Sequence, residues 1–144
     1  MGFARLDAAG EFFIRLPYGS ELLAEVREFA VKSNVSSGFF TVIGAVEEAV
    51  LGFYRQDALE YVEERFIEPL EIASCTGNVM IKDGKCFVHA HACLSRKDAS
   101  IVGGHLLSAR VFVGEVFFKS FGNRLTRRFD EKTGLFLAEF PHQK

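Results

Sequence analysis

The chain has 144 residues, 49% of them apolar, which suits a single domain with a sizeable core. Its 17 basic and 19 acidic side chains leave a net charge of −2, so electrostatics give no basis for gripping nucleic acid or an anionic membrane. No apolar run nears the ~20 residues that span a bilayer, and Met1-Gly2-Phe3-Ala4-Arg5 lacks the layout of a signal peptide; the expectation is a soluble, cytoplasmic protein with no membrane partner.

Residues 11–16 read as a first strand, closed by Pro17-Tyr18-Gly19. Ser20 suits a helix N-cap. Leu22, Leu23, Val26, Phe29 and Ala30 then recur at helical spacing, with Glu21, Glu25, Arg27, Glu28 and Lys32 on the other side. This pattern predicts one amphipathic helix of about three to four turns, ending near Asn34. Strand patterns follow over 39–44, 46–54, 70–74, 79–81, 86–94, 105–121, 125–129 and 135–140. Asp83-Gly84 is a strong hairpin signal and pairs 79–81 antiparallel with 86–94. No repeat or linker divides the chain. The expected fold is one α+β domain over residues 1–144, mostly antiparallel sheet with one main amphipathic helix.

Three of the four histidines carry the chemistry: His89 and His91 in Val88-His89-Ala90-His91-Ala92, and His105 after Gly103-Gly104. On a strand, side chains at i and i+2 leave the same face ~6–7 Å apart, so two imidazoles can lean toward one point. The polar stretch Ser95–Ser100 returns the chain beside them and permits His105 to approach. Three neutral imidazoles with a fourth position open form a common zinc arrangement, although imidazole also suits nickel, iron and cobalt. A chance histidine pair on a polar strand face gives the same spacing. Here the interleaved Val88, Ala90 and Ala92 fit a strand with one apolar face and one special face, and the remaining histidine, His142, stands in a polar tail.

Other candidates are weaker. The cysteines Cys75, Cys86 and Cys93 are odd in number and contain no Cys-x-x-Cys pair, as expected of reduced thiols. Cys93 continues the face of His89 and His91, but it lies ~13 Å from His89 on a regular strand, too far to share one metal. Glu115, in Val113-Gly114-Glu115-Val116-Phe117, is a candidate catalytic or ligand-orienting carboxylate; the plainer reading is an edge or interface glutamate paired with arginine. Glu71 and Glu47 stand on weaker ground. Gly103-Gly104 matches no phosphate-binding pattern and reads as a tight turn ahead of His105. Arg124, Arg127 and Arg128 are followed at once by Asp130 and Glu131, which reads as a solvated charged edge. The 16 phenylalanines, several within 111–121, exceed what one small core readily hides and point to an interface.

Taken together, Arg15–Ser20, Gly38–Val46, Glu71–Val79, Val88–Ala92 and Val102–Leu106 resemble, in order and spacing, the plants-and-prokaryotes-conserved (PPC) domain, the family found alone in prokaryotes and behind AT-hook segments in plant nuclear proteins. The resemblance runs from about Phe3 to Phe140. It implies a compact, mostly antiparallel domain assembled as a homotrimer. It also implies protein partners, and a metal held by His89, His91 and His105, as in prokaryotic members that keep all three histidines. The Arg-Gly-Arg-Pro core through which plant relatives contact DNA does not occur in this sequence. Three functions follow as expectations. The first is a trimeric zinc-binding scaffold with a regulatory or interaction role. The second is a zinc-dependent hydrolase or lyase, since such a metal lowers the pKa of bound water to about 7. The third is a DNA-associated regulator.

Overall fold

Alternating apolar and polar residues carry most of the chain into strands. The computed structural model describes residues 6–139; Phe140, the expected end of the last strand, and His142 lie outside the described residues. The elements are β1 (Ala8–Leu16), α1 (Leu22–Lys32), β2 (Gly38–Arg55), β3 (Glu60–Phe66), β4 (Leu70–Lys82), β5 (Lys85–Ser95), β6 (Ile101–Phe121), β7 (Thr126–Asp130) and β8 (Leu135–Glu139). They form one sheet in the order β3-β2-β6-β5-β4-β7-β8, with β1 on β6 and a further pairing of β2 with β4. β2, β6, β5 and β4 thus close a circuit. All pairings are antiparallel except the short β4–β7 contact, which is parallel. The α+β architecture with one short helix agrees with expectation.

The helix begins one residue later than its expected cap. Glu21, not Ser20, is the N-cap, and its carboxylate accepts from the backbone N–H groups of Leu23 (3.1 Å) and Ala24 (2.7 Å). Ser20 instead donates its hydroxyl to the Pro17 carbonyl at 2.8 Å. A carboxylate at the positive end of the helix adds charge to the hydrogen bond that a serine would supply. Glu21 also accepts from Ala109 N–H at 3.2 Å, which ties the helix start to β6.

Leu22, Val26 and Ala30 are the helix's buried stripe. They meet the inward residues of the strands, where the Phe40 and Phe118 rings stack parallel with centroids 6.3 Å apart. Phe29 and Phe12 meet Phe118 edge-on. Edge-on and offset aromatic pairs add to the area they bury.

Two strands each merge a pair of sequence patterns, and β1 and β6 begin earlier than expected, at Ala8 and Ile101. Residues 39–44 and 46–54 are one strand, β2, because Gly44 (φ +136°) forms a bulge within it. A Cβ at Gly44 would stand 2.1 Å from the Val113 carbonyl oxygen. Likewise 70–74 and 79–81 merge into β4, where Thr76-Gly77-Asn78 pairs across to His89-Ala90-His91. β3 has no apolar alternation to mark it: six of its seven residues are exposed and only Phe66 is buried. Charged side chains protect such a strand at a sheet edge. At the β4–β5 hairpin, Asp83 and Gly84 both take positive φ (49° and 75°), as a two-residue primed turn requires.

Candidate metal centre

The pleat of β5 sends Ala90 and Ala92 into the core, 1% and 3% exposed, and His89 and His91 to the opposite face. β6 places His105 directly across from His91, and β4 places Asn78 across from His89. The ring centroids of the three histidines lie 4.8–5.4 Å apart. One ligand atom from each stands within 4.8 Å of the others. Nitrogens bound at ~2.0–2.1 Å to one tetrahedral zinc are ~3.3 Å apart, so small side-chain rotations would close the set. His105 Nδ1 is buried, with no hydrogen-bond partner among the described residues. A buried polar nitrogen left this way is uncommon, and a metal ion would satisfy it.

Burial, then the nearby Arg127 guanidinium and the other two imidazoles, lowers the His89 pKa to about 4. Burial also lowers His105, with His91 and Arg127 adding to the effect. Both rings are therefore neutral at pH 7, the state with a lone pair to donate. Arg127 on β7 reaches in from the side. Its Nη2 donates to Asn78 Oδ1 (2.9 Å) and lies 3.2 Å from His89 Nδ1, and its Nη1 donates to the Phe136 carbonyl (2.8 Å). A guanidinium only donates, so His89 Nδ1 accepts. A neutral His89 ligated through Nδ1 would use that lone pair. Ligated through Nε2, it would carry its proton on Nδ1. Either way, metal loading of the neutral ring requires Arg127 to release this nitrogen.

A sequence model of the Plants and Prokaryotes Conserved domain matches residues 6–122. The chain belongs to this family. Among solved structures, it is similar to a metal-containing protein from Archaeoglobus fulgidus, with 43% identity, 95% of this chain and 98% of that chain covered, and a TM-score of 0.91. It is also similar to a plant- and prokaryote-conserved protein from Pyrococcus horikoshii, at 30% identity, 99% and 100% coverage and a TM-score of 0.91. A protein from Bacteroides thetaiotaomicron, provisionally described as DNA-binding, is 26% identical over 94% of this chain and 97% of that one, with a TM-score of 0.87. No curated protein matches the chain. The match to the Plants and Prokaryotes Conserved domain ends at residue 122, before the β7–β8 hairpin that carries Arg127 and Phe136.

The remaining candidates fall away from the histidines of this family member. Glu115 is exposed, ten residues along β6 from His105 and opposite Arg15 in register. That separation is ~33 Å on an extended strand, so Glu115 is corrected from a candidate catalytic or ligand-orienting group to a surface residue. Glu47 pairs with Arg110 at 2.9 Å, and Glu71 is exposed opposite Ser95. Cys93 is exposed across from Gly103, outside the cluster as its spacing implies. Gly103 and Gly104 do not form a turn. They lie within β6, where a Cβ would stand 2.9 Å from the Ala92 oxygen or 2.8 Å from the Gly52 oxygen; glycine is needed for close strand approach. The basic trio divides: Arg124 and Arg128 are exposed, whereas Arg127 is half-buried against the site. No local pattern distinguishes Arg127, because a non-local pairing of β7 with β4 brings it in. Tyr61, with its ring 5.2 Å from that of His105, was equally hidden in the unmarked strand β3.

Proposed function

We propose that this protein is a single-domain homotrimer holding one divalent transition metal, zinc, on each chain at His89, His91 and His105, and that it acts as a regulatory or interaction scaffold. The observation that carries the metal reading is the convergence of three imidazoles within 4.8 Å, one with a buried nitrogen lacking a partner. A relative at 43% identity described as metal-containing supports it. The metal would supply Lewis acidity at a position the three ligands leave open. The chain's own residues would orient and neutralise the ligand rings. Self-association is supported by the family resemblance and by the exposed apolar residues Phe13 and Phe117, paired across β1 and β6, with Ile43 and Val113 nearby on β2 and β6. Exposed apolar surface of this kind marks interfaces.

A zinc-dependent hydrolase or lyase is a second reading, favoured by a cleft of about 280 Å³ bordered by His89 and His105. Among the described residues no carboxylate lines that cleft, so a general base would come from a histidine or from the substrate. DNA association rests on the description of relatives, and the net charge of −2 opposes it; salt-sensitive binding to duplex DNA would be its signature. The metal reading is tested by titrating metal-free protein with zinc. Wild type should take up one equivalent, and His105→Ala should lose most of its affinity. Equal uptake by both would reject the ligand assignment.

A further inference from the structure

The cleft beside the histidines carries charge that nothing answers. Lys82 and Arg127 line it, and among the described residues no aspartate or glutamate does. Elsewhere, exposed cations such as Arg65 and Arg124 also lack a carboxylate, whereas Lys32, Arg55, Arg96, Arg110, Lys119 and Arg128 each pair with one. Among the described residues, neither Lys82 nor Arg127 does. Lys82 Nζ stands 3.7 Å from the Phe136 ring centre and 5.1 Å from that of Phe87, a cation–π setting that positions the ammonium without neutralising it. Arg127 donates from both Nη atoms to neutral acceptors, and among the described residues its buried Nε has no partner. Burying an unpaired cation is costly, and a divalent metal at the histidines would add positive charge to the same cleft.

We propose that this cleft binds a small organic oxyanion, a carboxylate or phosphate group on an apolar body, with Arg127 and Lys82 as its anchors. The guanidinium offers such an oxyanion its charge and the remaining Nη1 N–H, and the Lys82 ammonium supplies the other donor. Tyr61, Phe87 and Phe136 supply walls for the apolar body. A volume of about 280 Å³ lies at the small end of ligand pockets. The role of such a ligand at the metal rests on the metal reading above, whereas its binding stands on Lys82 and Arg127.

The test titrates the full chain, metal-free and zinc-loaded, with benzoate, phenyl phosphate and neutral benzamide, read by calorimetry and by amide chemical shifts. At least one of the two anions should bind tenfold or more tighter than benzamide in both forms, and the better one identifies the carboxylate or phosphate class. Shifts should centre on Lys82, His89, Arg127 and Phe136. Lys82→Gln should weaken anion binding several-fold, and Arg127→Gln should abolish the preference. Lys82 is only partly buried, so its variant decides the matter if Arg127→Gln does not fold. Equal binding of benzamide, or wild-type anion affinity in the variants, overturns the inference; if that affinity is seen only in the zinc-loaded form, the anion merely coordinates the metal. Zinc content measured on the same samples separates the two readings. One zinc per chain without anion preference overturns only this inference. Anion preference in a chain that takes no zinc sustains it and rejects the metal.

Discussion

His89 shows how burial and chemistry meet in one side chain. Its pKa is lowered to about 4, first by burial and then by Arg127, His105 and His91, against about 6.5 for an unperturbed histidine. Between those values the unfolded chain binds more protons than the folded one, so metal-free protein should lose stability as pH falls from about 6.5 toward 4. Urea denaturation at pH 7.5 and pH 4.5 checks this, with His89→Ala expected to flatten the dependence. Equal pH dependence in wild type and variant would contradict it. The histidine pair was legible because a period of two forces His89 and His91 onto one face whatever the neighbouring strands do. His105 was legible through a polar connection short enough to return the chain. Arg127 was not, because its place depends on the pairing of Ile81 and Lys82 with Thr126 and Arg127, which no local pattern encodes. The failure at Glu115 has a similar origin. Apolar neighbours in sequence suggested burial, but Val116 and Gly114 face inward while Glu115 faces out.

At the scale of elements, β5 and β6 hold the site, and β6 lies close to both neighbours, to β5 at Gly103 and to β2 at Gly104. Gly104→Ala would push a Cβ to 2.8 Å from the Gly52 oxygen, so β2 or β6 must shift and carry His105 with it. The expected cost is about 1–3 kcal/mol, with weaker zinc binding that tracks the shift. Thermal unfolding and zinc titration of the variant measure both, and unchanged values would show that the approach of the strands is not limiting. Phe118 is fully buried among Phe12, Phe29 and Phe40; Phe118→Ala should cost about 3–5 kcal/mol in urea denaturation. The elements are legible in the sequence where a buried face imposes alternation or a helical stripe, as in α1 and β5. They look broken where glycine and polar residues stand inside a strand, as at Gly44 and at Thr76-Gly77-Asn78, because a bulge and a site-facing strand segment resemble turns locally. β3 is not legible in the sequence because it is held by its partner β2 and not by a buried face of its own.

At the scale of the molecule, the closed circuit of β2, β6, β5 and β4 fixes the histidine face, and the β7–β8 hairpin lies against it. No helix among the described residues is long and apolar enough to cross a membrane. The exposed apolar residues on β1, β2 and β6 bear on assembly, and light scattering at micromolar concentration should give the mass of three chains; a monomer would remove the trimer. The central claim is the metal. The most direct measurement is elemental analysis of the protein, purified without a histidine tag and dialysed, beside the variant with alanine at positions 89, 91 and 105. The account predicts about one zinc per chain in the wild type and none in the variant. No metal in the wild type after zinc is added and the excess removed, or equal metal in both proteins, would contradict it.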